Sequence, residues 1–170
     1  ADFAYYQPNF GKRVTRTTGS DPYKCCRYRG YNFISRLNEL LFTEDDKALI
    51  PAVYASAVYD NGKVRIEETT GYPFDGKIIF SVVGDCGKKL KLRIPSWCEE
   101  YYIAVNGKKS SAPLVDGYAT IEISDGDEIL LDLGIRLVKE TVIIGEKTYA
   151  GFSFGPIVMV PDSNLNDDIY

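Results

Sequence analysis

Hydrophobic positions follow two different periods along this chain, and the change between them marks its organisation. In YNFISRLNELLF, Phe33, Ile34, Leu37, Leu40 and Leu41 recur at helical spacing, while Arg36, Asn38 and Glu39 fall on the other side. This predicts one amphipathic helix over about residues 31–43. Beyond it the period shortens to two, with turn signals at nearly regular intervals. The predicted strands are residues 52–59, 63–70, 77–83, 89–95, 102–107, 118–123, 128–134 and 155–160. Between them, DNG at 60–62, GYPFDG at 71–76, NGK at 106–108 and DGD at 125–127 supply the Asn, Asp and Gly chemistry that hairpins need. Lys89, Lys91 and Arg93 alternate with Leu90, Leu92 and Ile94, so one face of that strand is wet and the other buried. Eight short strands at this spacing predict a mainly β fold, an antiparallel, jelly-roll-like β-sandwich preceded by the single helix. Residues 1–30 carry one possible strand, FAYYQ, and otherwise read as a loop built to pack on something.

Composition narrows the chemistry. The 170 residues are 45% hydrophobic, enough for a core in one domain, or in one domain with an appendage. Net charge is −4 and the basic residues are scattered, which excludes the electrostatic footprint of a nucleic-acid binder. No apolar run is long enough to span a bilayer, and ADFAYYQPNF lacks the pattern of a signal peptide. The chain is expected to be soluble, with the compartment, cytoplasmic or exported, left open. Histidine is absent, which excludes Ser-His-Asp and Cys-His catalysis within the chain and limits any metal site to thiolates and carboxylates.

The four cysteines are Cys25, Cys26, Cys86 and Cys98. Cys86 lies in the turn GDCGKK and Cys98 follows the strand KLKLRIPSW, which carries it roughly 30 Å away. That separation argues against a bridge between them. A bond between the neighbours Cys25 and Cys26 would strain the intervening peptide. Three readings of that pair stand side by side: metal ligands, a nucleophile with its neighbour, or two buried thiols. Tyr5, Tyr6, Tyr23, Tyr28 and Tyr31 flank the pair, and either stack on a sugar ring or cover the helix. Arg27, Arg29 and Arg36 are candidates for holding a carboxylate or sugar hydroxyls. Trp97, the only tryptophan, is read as core closing the sandwich edge, and Glu67, Glu68, Asp125, Asp127 and Glu128 as solvated carboxylates of strands and turns.

Several stretches, in order, carry a family resemblance: FAYYQPNFGKR, the double cysteine, NFISRLNELLF, ETTGYPFDGKI, LKLRIPSWCEE, IAVNGK, GYATIEISDGDEILLDLGIRL and GFSFGPIVMV. Together they resemble glycoside hydrolase family 127, the β-L-arabinofuranosidases and their relatives, over nearly the whole chain. The resemblance implies that residues 1–50 are the end of a truncated (α/α)₆ helical-barrel region and residues 51–170 a β-sandwich domain. It implies that Cys25 is the thiolate nucleophile of a retaining mechanism and that Cys25 and Cys26 are ligands of one Zn²⁺; of the flanking tyrosines, Tyr23 and Tyr28 are the candidates for substrate contact. The remaining ligands, a glutamate and a cysteine, and the glutamate general acid/base would come from the missing barrel. The isolated chain is then expected to be inactive, with zinc absent or weakly bound. Implied partners are that barrel, a plant-type glycan, and a second copy of the chain through an exposed docking face. RYRGYNF after the cysteine pair and SDG at 124–126 depart from the family's usual wording and leave the substrate class open. The alternative from another class is a carbohydrate-binding or interaction module without catalysis.

Overall fold

The computed structural model describes residues 32–159. The chain divides into two compact units, Ala1–Glu39 and Leu40–Tyr170. In the described part of the first, residues 32–35 are helical, Ser35 Oγ donates to the Asn32 carbonyl at 3.0 Å, and Arg36 pairs with Glu39 at 2.8 Å. The helix α1 (Leu37–Leu41) follows after a turn at Arg36. It stops two residues short of the predicted end because Phe42 begins a strand, and the Ala52 N–H caps the Leu41 carbonyl at 2.9 Å. Phe33, Ile34 and Leu40 are exposed, and no residue of α1 is buried.

In the second unit, β1 (Phe42–Glu44), β2 (Ala48–Pro51), β3 (Ala57–Asp60), β4 (Val64–Thr70), β5 (Lys77–Gly84) and β6 (Lys89–Arg93) come first. Then follow β7 (Tyr101–Val105), β8 (Lys108–Lys109), β9 (Leu114–Val115), β10 (Tyr118–Ile121) and β11 (Glu128–Leu133). The last described strands are β12 (Leu137–Ile144), β13 (Lys147–Phe154) and β14 (Ile157–Met159). One sheet has the order β1-β2-β6-β10-β9 and a second the order β3-β4-β5-β11-β7-β8. Their inner faces interleave Leu90, Leu92, Ala119 and Ile121 with Ile66, Ile78, Phe80, Ile129 and Leu131, all nearly or fully buried. This is the predicted mainly β sandwich. All pairings among the described strands are antiparallel except β2 with β6.

The alternation that predicted β4, β5, β6 and β11 is visible as strict inward and outward burial, because a strand turns successive side chains to opposite faces. The hairpin β7–β8 turns through Asn106 (φ 52°) and Gly107 (φ 74°), the left-handed pair that a tight hairpin needs. The predicted strand 52–59 is corrected. It is broken between β2 and β3, where Tyr54 turns into the core, 3% exposed, and its hydroxyl donates to the Arg93 carbonyl at 2.7 Å. That bond ties the crossover segment to β6.

A third sheet, β12-β13-β14, was not expected beyond its last strand. Its residues are mostly exposed on both faces, so residues 137–154 show no regular alternation of buried and wet positions. The predicted strand at 155–160 begins later, at Ile157, because Gly155 and Pro156 form the turn from β13.

Candidate functional site

The loop after β6, Ile94-Pro95-Ser96-Trp97-Cys98-Glu99-Glu100, is tightly constrained. The Ile94 N–H donates to the Gly117 carbonyl at 2.8 Å, and the Cys98 N–H closes a turn onto the Pro95 carbonyl at 2.9 Å. Cys98 points inward, 8% exposed, and its thiol donates to the Glu100 carbonyl at 3.1 Å. Burial pushes this thiol up from its ordinary value, so it stays protonated and inert. Cys86 and Cys98 are both free, in line with the sequence argument against a bridge.

Trp97 and Glu99 flank that inward cysteine and face a cleft of about 220 Å³. Trp97 is half-buried and packs in part against the core, as predicted, but it also lines this cleft. The opposite wall is the third sheet: Arg136, Val138 and Glu140 recur at every second residue, and Ser153 pairs across from Val138. Arg136 and Glu99 form an ion pair across the mouth. One backbone bond joins the walls, Gly134 N–H to the Glu100 carbonyl at 2.9 Å, and another ties the two chain segments of the far wall, Gly155 N–H to the Arg136 carbonyl at 3.2 Å. Glycine is favoured at 155, where φ is +54° and an added Cβ would lie 3.1 Å from Ile135 Cγ1.

A second feature overturns the sequence reading of one acidic residue, Glu68, whereas Glu67, Asp125 and Glu128 are exposed as expected. Glu68 is not solvated: it follows Val64 and Ile66 on the inward face of β4 and is 1% exposed. Its Oε1 accepts the Ala55 N–H at 2.9 Å, and its Oε2 has no partner among the described residues. Burial pushes its pKa up to about 8, against the opposing pull of the Ala55 N–H, so the group is mainly a neutral acid at neutral pH. Tyr54 packs beside it, edge-on to Tyr72 and Phe80 with ring centroids 5.9 and 6.4 Å away. Burial also raises the Tyr54 and Tyr72 hydroxyls, keeping both neutral. Two of the other acids take up turn duties: Asp125 accepts the Gly84 N–H at 2.6 Å, and Asp127 accepts Asn106 Nδ2 and the Ser124 N–H, each at 2.7 Å.

Cys25, Cys26, Tyr23 and Tyr28, with Tyr5, Tyr6, Tyr31, Arg27 and Arg29, lie outside the described residues. Among the described residues no group of three or more Cys, Asp or Glu side chains is placed to hold a metal. No described helix is long and apolar enough to cross a membrane. Sequence reasoning missed the cleft because its two walls are about 40 residues apart in the chain. The burial of Glu68 was available in the sequence, from the period-two run Val64, Ile66, Glu68.

Comparison with known proteins places this architecture. Residues 52–135 match the family profile described as β-L-arabinofuranosidase, GH127 middle domain. Ara127N-Se, a GH127 β-L-arabinofuranosidase from Geobacillus stearothermophilus T6, is 28% identical with a TM-score of 0.67, over 79% of this chain and 23% of that one. The GH127 β-arabinofuranosidase BT3674 shares the fold at TM-score 0.69 and 24% identity, over 79% of this chain and 25% of that one. A glycoside hydrolase at 18% identity shares it at TM-score 0.72, over 92% of this chain and 28% of its own. No curated protein matches. The chain thus spans about a quarter of the length of the structures it resembles. The profile match at residues 52–135 and the likeness to Ara127N-Se support a fragment of the glycoside hydrolase family 127 type, and BT3674 shares its fold.

Proposed function

We propose that this chain is the C-terminal portion of a retaining glycoside hydrolase acting on β-L-arabinofuranosides of plant-type glycans, and that it is inactive alone. The observation that carries this is the middle-domain match together with the short share of Ara127N-Se that the chain covers. The sandwich would buttress a helical barrel contributed by the same polypeptide. One face of the third sheet supports such docking. Register places Leu137 with Phe154, Lys139 with Phe152 and Met159, and Ile143 with Thr148 on that face, and its large apolar side chains Leu137, Ile143, Phe152 and Met159 are exposed. In the absence of the barrel, the same face is the surface through which two copies would pair.

Cys25 would be the nucleophile, and Cys25 with Cys26 would hold a Zn²⁺ as two thiolates, a donor type that suits this metal. When bound, the ion would keep the thiol ionised at neutral pH. Tyr23 and Tyr28 would offer ring faces to the sugar. Two thiolates make half of a tetrahedral set, and a retaining mechanism also needs a carboxylic acid to protonate the departing oxygen. Glu68 does not meet that need, because it is sealed inside the sandwich. The missing groups are therefore assigned to the barrel.

The test uses the longer polypeptide and the 170-residue chain side by side on an aryl β-L-arabinofuranoside, following release of the phenol. The longer protein is expected to turn over, and Cys25→Ser in it to abolish turnover. Undiminished activity of Cys25→Ser, or hydrolysis by the chain alone, overturns the assignment. A second reading, a module that binds carbohydrate without chemistry, is favoured by one observation, the cleft beside Trp97.

A further inference from the structure

We propose that the cleft between the Trp97 loop and the third sheet is a binding site for a neutral saccharide, one sugar ring deep. The inference does not rest on the catalytic reading above. It stands on four properties of the cleft that act together.

The first is the ring. Trp97 packs on the core with part of its surface and is also a lining residue of the cleft, which offers apolar surface to the C–H groups of a sugar. The second is the polar inventory. Arg136 donates, Glu99 and Glu140 accept, and the hydroxyls of Ser96 and Ser153 do both. Vicinal sugar hydroxyls, each a donor and an acceptor, need such a mixture, whereas an apolar ligand would strand it. The third is charge. Two carboxylates face one guanidinium already paired with Glu99, so an anionic ligand meets net repulsion and an uncharged polyol does not. The fourth is size and rigidity. At about 220 Å³ the cleft falls below the range of about 300–1,000 Å³ that encloses larger ligands, which suits one ring held at a surface. The Gly134 bond joins the walls and the Gly155 bond ties the far one together, which lowers the backbone ordering cost at binding.

The protein carries its own reporter, since Trp97 is its only tryptophan. The experiment titrates the 170-residue chain with neutral arabino-, xylo- and cello-oligosaccharides and with an oligogalacturonate, following tryptophan emission under selective excitation. A saturable change with at least one neutral oligosaccharide, and none with the oligogalacturonate, is expected. Arg136→Ala, at an exposed position, should weaken binding about tenfold, as the loss of one charge-assisted hydrogen bond would. Lys139→Ala alters the same strand on its other face and should leave binding unchanged. Absence of saturation with every neutral sugar overturns the proposal. So does undiminished binding in Arg136→Ala, or equal loss in Lys139→Ala. Circular dichroism of each variant, matching the parent chain, confirms that the comparison is between folded proteins.

Discussion

Replacing Glu68 by glutamine should change how the stability of this protein depends on pH, in a direction opposite to that of most carboxylates. The carboxyl titrates near 4.5 in an ordinary setting and at about 8 where it is buried in the fold. Between these values the unfolded chain has released the proton while the folded chain still holds it. Stability therefore falls as pH rises, by about 1.4 kcal/mol per pH unit, starting near the unfolded value and levelling off above the folded one. At neutral pH the penalty from this one group is about 3 kcal/mol, and at its plateau about 5 kcal/mol. Glutamine keeps the acceptor for the Ala55 N–H but places an NH₂ where Oε2 has no partner among the described residues. That adds a cost of about 1–3 kcal/mol that does not vary with pH.

The difference between the two proteins is the informative quantity, because every other titrating group cancels in it. Urea unfolding of both, at steps from about pH 5 to pH 9, gives that difference directly. The variant should gain on the parent with rising pH by several kcal/mol and then hold level above about pH 8. Glu67→Gln is the control, since Glu67 faces outward on the same strand and is only loosely paired with Arg65, at 3.4 Å. As a substitution at an outward-facing position it should change stability by no more than about 0.5 kcal/mol. A flat curve for Glu68→Gln would refute the reasoning, and would mean that the buried carboxyl is hydrated or partnered.

Two further outcomes test the packing around the candidate site. Tyr54→Phe removes the hydroxyl that ties the crossover to β6, and leaves the Arg93 carbonyl without its donor. A loss of about 1–3 kcal/mol in urea unfolding is expected, and a change below about 0.5 kcal/mol would remove the crossover bond as a stabilising element. Brief treatment of the native chain with iodoacetamide should label Cys86, which is partly exposed, and spare Cys98, whose buried thiol is held protonated. Peptide mass mapping reads both sites, and labelling of Cys98 at the rate of Cys86 would contradict its placement in the core.

What the sequence made legible was set by where the physics is local. Lys89 to Ile94 announce their strand because each side chain has one of two fates, water or core, and the chain alternates between them. β12 and β13 went unseen because both of their faces are largely exposed, so alternation carries no signal there. Their pairing shows only in three dimensions, where Leu137 to Ile144 run in register with Phe154 to Lys147. Phe42 likewise reads as helix from its neighbours and becomes strand because Pro51 lies beside it. The cleft is the same problem at larger range: Trp97 looked like core from IPSW alone, and it is partly so. Its second surface exists only because β12 and β13 fold back over the loop, which Gly134 and Gly155 permit by close backbone approach. Glu68 is the contrary case. Two inward hydrophobic residues at two-residue spacing predict a third inward position, whatever residue fills it. An acid there costs stability at neutral pH, on a strand that the buried Val64 and Ile66 hold in the core beside Phe80. Residue identity therefore misled where register would not have, and the pH profile of Glu68→Gln is the measurement in which the two readings diverge.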